Sequence, residues 1–371
     1  MTLAALLVLL LCRPCRPSPH TMVAKPGAGA TLIATRAIRT GELLVDEEPL
    51  IALAHSRDNE AAGGNSGTWF APSDSYVLNL LEAQLDRLGD DDHKAYYELF
   101  GFCGAGVDRA SNALDIFKTN AYPLDSNGKV DMIEIISSGA AAGRVERQPR
   151  KRSRAGVYRT ISRINHSCLP NVCYSFDSSS GRGSIHAIRD IPNGAELLNS
   201  YIPLLAPSSE RKQYLATNFG FACDCRACRS AYSSSDVYRL KTPGGISTRM
   251  RSDERRCELK RLKDQVERDV GALQGGADGG SDALLTAVDR ANHRRLELLG
   301  EEDIATPDLV LNVLESQLCA ALLTGAGGDA TLRLCSQAHV LSVLSRGALA
   351  GDTLALRRAA NELRSCDDLS I

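Results

Sequence analysis

Apolar residues along this chain recur with two different periods. Between Ser73 and Phe102 they fall at helical spacing, with Tyr76, Leu78, Leu80, Leu81, Leu85 and Leu88 set among acids, which predicts a helix. Past Cys228 the same period dominates and predicts helices over 253–270, 282–299, 307–323, 331–349 and 353–364. Glycine-rich breaks at 271–280 and 325–328 separate most of them. Antiparallel helix pairs of ~15 to 20 residues with short links make an α-helical C-terminal domain, without a repeat clear enough for a tetratricopeptide array. The first half carries shorter, β-type runs. Gly27 to Leu44 reads as a strand, a turn at Arg39-Thr40-Gly41 and a second strand, while 173–176 and 184–188 read as strands around a Ser/Gly turn. The stretch from Ala34 to Leu44 is echoed by Ala187 to Leu198, so both are expected to form hairpins of one β-rich fold. Ser56 to Thr68, rich in Gly, Asn and Ser, reads as a loop.

Composition narrows this only modestly. A chain of 371 residues with 43% apolar and 24% charged side chains is globular and allows one large domain or two ordinary ones. Lys+Arg 43 against Asp+Glu 45 leaves a formal charge of -2, so no global basic field draws the chain to nucleic acid. The local exception is a basic cluster, Arg144, Arg147, Arg150, Lys151, Arg152 and Arg154, which reads as a solvated insertion over 126–155 or as a nuclear-import or nucleic-acid patch. Residues 1–11 are apolar enough for the core of a signal peptide but lack a basic region before it and are too short for a bilayer span of ~20 residues. A secretory signal, a membrane-surface segment and an extension with Met22 as the start all compete for 1–24, the last being favoured.

Three polar stretches demand more than packing. Asn165-His166-Ser167-Cys168-Leu169-Pro170-Asn171 places two carboxamides, an imidazole, a hydroxyl and a thiol within seven residues, and such groups need partners if buried. Gly194-Ala195-Glu196-Leu197-Leu198-Asn199-Ser200-Tyr201 ends on a tyrosine, and Phe219-Gly220-Phe221-Ala222-Cys223-Asp224-Cys225-Arg226-Ala227-Cys228 holds three thiols in six residues. Of the 12 cysteines, four fall in or beside these motifs, and metal ligation is a better reading for them than disulfides. Cys103, Cys173, Cys257, Cys319, Cys335 and Cys366 show no ligand spacing and read as core thiols; Cys12 and Cys15 do form a spaced pair.

In order and spacing, these three stretches resemble the SET-domain protein lysine methyltransferases, fungal SET proteins and the catalytic half of the SMYD group in particular. The resemblance spans roughly Gly27 to Cys228, and no Cys/His array matches the zinc-finger insertion of the SMYD group. It implies an α+β, β-rich SET fold with a pseudoknot, a zinc-bound post-SET loop and an α-helical C-terminal domain. The expected boundaries are an extension over 1–24, a SET domain with a helical insertion over 25–204, the post-SET loop over 205–230 and the helical domain over 231–371. The resemblance further implies binding of S-adenosylmethionine by Gly29, Ala30, Asn120, Ser162, Asn165, His166, Tyr201 and Phe221, with Tyr201 as the catalytic residue. A closed tetrahedral zinc site needs four ligands, and the resemblance supplies Cys168 as the fourth beside Cys223, Cys225 and Cys228. Two departures stand out: Thr31 replaces a glycine expected near the cofactor, and Ala195 replaces the first of two acidic residues, leaving Glu196 as a support for the threaded segment.

The implied activity is methylation of lysine in a protein substrate, histone or other, by a protein of the nucleus or cytoplasm without a membrane span. Thr31, Ala195 and the long insertion favour an alternative, a non-catalytic SET scaffold binding partners through its helical domain; Asn165, His166 and Tyr201 favour the enzyme. A secreted disulfide protein is the third reading.

Overall fold

The computed structural model describes residues 18–26, 29–56, 74–101, 108–124, 152–229, 245–275, 281–325, 328–348 and 350–368. Residues 1–11, the loop at 57–68, Cys12, Cys15 and Cys103, and basic residues Arg144 to Lys151 lie outside them.

The β-rich half is a set of small sheets. Strand β1 (His20–Ala24) runs antiparallel to β2 (Ala30–Ala34), so part of the stretch before Lys25 joins the sheet structure. Strand β3 (Leu43–Glu47) pairs with β9 (Arg182–Ala187), which also pairs with β8 (Val172–Asp177), all antiparallel. Strand β4 (Ile51–Ser56) pairs with β6 (Arg152–Val157), and β6 with the short β5 (Tyr122–Pro123). Arg152 to Ala155, read as the end of the basic insertion, therefore belong to a central strand whose Ala155 and Val157 are fully buried.

The two similar stretches of sequence do not form two hairpins. β2 and β3 belong to different sheets, and the stretches pair with one another instead. Ile38 and Ile191 exchange both backbone hydrogen bonds, at 2.8 and 2.9 Å. Around that pair the contacts are two-fold: Gly194 N donates to Ala34 O at 2.8 Å as Gly41 N does to Ala187 O at 2.7 Å. Ala34 N likewise donates to Ala195 O as Ala187 N does to Glu42 O. Gly41 and Gly194 occupy equivalent left-handed positions, φ 85° and 81°, which glycine adopts without strain. Local turn signals were read correctly, but each stretch found its complement in the other, burying Ile38 and Ile191.

The helix expected over 73–102 is two, α1 (Asp74–Leu85) and α2 (Asp90–Tyr97). Gly89 interrupts it with an extended backbone, and three aspartates in the first turn of α2 favour a new N-terminus there. With α3 (Arg109–Asn120), they cover β4 and β6 through a core that includes Leu81, Tyr96, Phe117 and Ile51.

Helix α4 (Ser208–Phe219) and the single turn α5 (Arg226–Arg229) follow the stretch that ends on Tyr201. The C-terminal helices are α6 (Gly245–Gln274), α7 (Ser281–Glu301), α8 (Pro307–Leu323), α9 (Asp329–Arg346) and α10 (Gly351–Asp368), matching the expected helices with shifted ends. α8 is apolar almost all round and forms the centre, with Leu311, Val313, Leu318 and Cys319 fully buried. α9 rests against β8 and β9, so the helical domain is docked on the β-rich half.

Candidate active site and thiolate centre

The site is built on a threaded pair of short strands. β7 (Asn165–His166) lies parallel to β10 (Leu198–Asn199), with Asn165 opposite Leu198 and His166 opposite Asn199. So short a pair needs bracing, and Asn171 supplies it. Its side-chain amide donates to Glu196 O and accepts from Leu198 N, both at 2.8 Å, imitating another strand. Residues 165–171 are thereby held against the segment that carries Tyr201, as the pseudoknot reading requires.

Glu196 secures the same crossing from the other side. Its carboxylate accepts from Lys25 Nζ at 2.7 and 2.8 Å, Thr31 Oγ1 at 2.5 Å and Asn165 Nδ2 at 2.9 Å. Burial disfavours the charge, but these donors outweigh it and hold the carboxyl below its ordinary range. Thr31 is accounted for here: its side chain is buried and turned to Glu196.

A cavity of about 450 Å³ opens beside the crossing, its wall including Ala30, Asn120, Ser162, Asn165, His166, Tyr201 and Phe221. Seven of the eight residues implied for cofactor binding thus converge on one space, though they come from positions 30 to 221. Gly29 is one step removed. It lies at φ 70°, and a Cβ there would stand 3.2 Å from Cβ of Phe100, itself a wall residue. Lys25, Phe100, Thr119, Arg163, Phe219 and Asp224 also line the cavity and escaped the sequence reading. Phe219 and Asp224 carried a signal, their place in the stretch from Phe219 to Cys228, and Thr119 directly precedes Asn120; Lys25, Phe100 and Arg163 lie in no motif.

Several wall side chains are already committed. The Ser162 hydroxyl accepts from Tyr158 N and donates to Asn120 O, both at 2.9 Å. Asn120 Nδ2 donates to Phe100 O at 2.7 Å and Ile116 O at 2.8 Å, so Oδ1 is what it retains for a ligand. Tyr201 Oη donates to Ile164 O at 2.7 Å, and burial pushes its pKa well up, keeping the phenol neutral with lone pairs to spare. Phe219 and His166 flank its ring at centroid distances of 4.9 and 5.3 Å. Burial brings the His166 pKa down to about 4, and both ring nitrogens are occupied, Nδ1 by Tyr201 N at 3.0 Å and Nε2 by Cys168 Sγ at 3.4 Å.

Beneath this wall, the sulfurs of Cys168, Cys223, Cys225 and Cys228 all lie within 4.8 Å of one another. Cys168 Sγ is 4.0 Å from Cys223 Sγ and 3.6 Å from Cys228 Sγ. Four thiolates at ~2.3 Å from a tetrahedral zinc stand about 3.8 Å apart, so the set fits that ion. Hydrogen bonds from Cys168, Cys223 and Cys228 lower the pKa of Cys225, as expected where a shared charge is stabilised. Arg211, 2% exposed, lies against Cys168 and Cys228; burial opposes its charge, but the sulfurs outweigh that and raise its pKa. A tetrathiolate zinc centre has a net negative charge, and this guanidinium is placed to offset it.

The threaded pair, the cavity beside it and the four thiols all lie in or next to one stretch of the chain. Residues 29–202 match the SET domain family. Among relatives, the chain is 36% identical over 110 residues to N-lysine methyltransferase SMYD2-B of Danio rerio, covering 30% of this chain and 23% of that protein. It is 35% identical over 184 residues to histone-lysine N-methyltransferase ASHR2 of Arabidopsis thaliana, covering 45% and 43%. With human histone-lysine N-methyltransferase SMYD3 the identity is 28% over 177 residues, covering 45% and 37%. The chain spans less than half the length of each of these three relatives. The match places a SET domain over residues 29–202, and the relatives that share it are named lysine methyltransferases.

Proposed function

We propose that this protein transfers a methyl group from S-adenosylmethionine to the side-chain amine of lysine in a protein substrate. The convergence of Asn165, His166, Tyr201 and Phe221 on one cavity carries this reading. Bound there, the cofactor supplies an electrophilic methyl on a sulfonium.

The chain's own residues do the rest. Oδ1 of Asn120 and the remaining amide hydrogen of Asn165 offer an acceptor and a donor toward the cofactor's polar groups, and Phe221 offers a ring face for a heterocycle. Lysine titrates near ~10.4 in water and must lose a proton before it can attack. A site walled by Tyr201, Phe219 and Phe221 disfavours the charged amine by excluding water. Tyr201 Oη, anchored on Ile164 O, directs its free lone pairs at the amine and at weak C–H donors of the methyl, fixing the line of attack. Zinc at the four cysteines would act structurally, joining residues 223–228 to the central motif.

The names of the relatives support histones among candidate substrates, and such substrates support a location in the nucleus, the cytoplasm or both. No helix among the described residues is long and apolar enough to cross a membrane. The scaffold alternative loses one of its grounds, since the Thr31 side chain faces Glu196.

Incubation of the purified protein with radiolabelled cofactor and a cell extract tests the proposal. The expected result is labelled protein with the native chain and a kcat lower by on the order of 10²-fold for Tyr201→Phe, with cofactor affinity within a few-fold by calorimetry. Calorimetry with no detectable cofactor binding to the native protein would favour the scaffold.

A further inference from the structure

His166 stands on the cavity wall, yet both of its nitrogens point to other parts of the chain. Nδ1 lies 3.0 Å from the backbone N of Tyr201, and Nε2 lies 3.4 Å from Cys168 Sγ. A backbone N–H can only donate, which leaves Nδ1 as the bare, accepting nitrogen. The neutral ring then carries its single hydrogen on Nε2, aimed at sulfur. Protonating Nδ1 would set one N–H against another.

The threading creates this geometry. Parallel pairing puts His166 opposite Asn199, two residues before Tyr201, while Cys168 follows His166 by two on its own side. The imidazole thus bridges the two segments at their crossing. Outer hydrogen bonds of this kind orient the groups they touch and tune a metal's ligands.

We infer that His166 is a positioning residue: its Nε2–H donates to the Cys168 sulfur while its Nδ1 accepts from Tyr201 N–H, coupling the orientation of the tyrosine to the cysteine centre. The tyrosine's part in this rests on the methyl-transfer reading. Zinc occupancy would then be felt at Tyr201 without any metal near the reacting atoms, and the ring nitrogens are not available to the cofactor.

Two substitutions separate the two bonds. His166→Asn places an oxygen near the position of Nδ1 but does not reach sulfur. His166→Gln extends an amide N–H₂ toward Cys168 and leaves Tyr201 N–H without its acceptor. In the Co²⁺-loaded full chain, His166→Asn is expected to shift the sulfur-to-cobalt absorption band and speed chelator-driven release by roughly 10-fold, while Tyr201 N–H keeps its protection from exchange. His166→Gln is expected to retain the band, to speed exchange at Tyr201 N–H by about 10-fold and to lower kcat by a similar factor, with KM for the cofactor changed little.

The native protein gives a test that needs no variant. Long-range ¹H–¹⁵N correlation of labelled histidine should show His166 as the Nε2–H tautomer. An Nδ1–H tautomer, or variants that match the native band, release rate and amide exchange, would overturn the inference. If the native protein transfers no methyl at all, the functional proposal fails, while band, exchange and tautomer still decide the relay.

Discussion

Glu196 shows how much a single side chain can gather. It receives hydrogen bonds from Lys25, Thr31 and Asn165, residues separated from it by 171, 165 and 31 positions, and ties the opening strands to the threaded motif. Because its folded-state pKa lies below the ordinary 4.5, its charge contributes stability that is full above that value and is lost as pH falls through the lowered one. Urea midpoints at about pH 6 and about pH 3.5 should therefore fall further for the native protein than for Glu196→Gln. Equal falls would mean that the carboxylate is not held ionised. Thr31→Val, which keeps the shape but removes the hydroxyl, is expected to cost about 1 kcal/mol in the same titration.

At the level of elements, the crossing depends on a strand pair too short to stand alone. β7 and β10 contribute two residues each, so the amide of Asn171 takes the place of a longer ladder. Asn171→Ala leaves the Glu196 carbonyl and the Leu198 N–H without partners and is expected to cost about 2 kcal/mol by equilibrium unfolding. The segment from Phe221 to Cys228 is held differently. Its contacts include Cys168, Lys212, His166 through Phe221 and Asp303 through Arg226, with the four thiols at their centre, so an ion held there would order it. Chelation should raise amide exchange across 221–228 and leave the β3–β9–β8 sheet protected. Uniform loss of protection would show instead that metal and fold are inseparable.

Across the whole molecule, the helical domain grips the segment between Tyr201 and the cysteines. Arg256, 1% exposed, donates to Leu204 O and to Glu302 Oε2, and Glu302 also accepts from Ser252 and Arg255. Pro207 offers no side-chain cap to α4, so Asp253 accepts from Ser208 N and Oγ, each at 2.8 Å. Asp303 joins Arg189 of the SET half to Arg226 of the post-SET turn. Removing Glu302 leaves Arg256 buried near Arg211 without its paired carboxylate. Glu302→Ala is accordingly expected to destabilise the protein by about 3–5 kcal/mol and to weaken cofactor binding together with stability, whereas Glu302→Gln should recover part of both.

The sequence by itself determined the pieces whose physics is local or whose residue types are unusual together. Apolar spacing marked the C-terminal helices to within a few residues, except at the α6 N-terminus and the α10 C-terminus, and three thiols in six residues marked most of the metal set. The dense polar motif and its downstream tyrosine singled out the site. Tertiary structure alone decided the partners. Ala34–Leu44 and Ala187–Leu198 looked like hairpins because turn signals are local, while strand pairing depends on which edge is within reach. Lys25, Phe100 and Arg163 became wall residues through chain reversals that leave no trace in nearby residues. Thr31 read as a defect until the fold set Glu196 beside its hydroxyl, since a buried polar group takes its meaning from what it bonds.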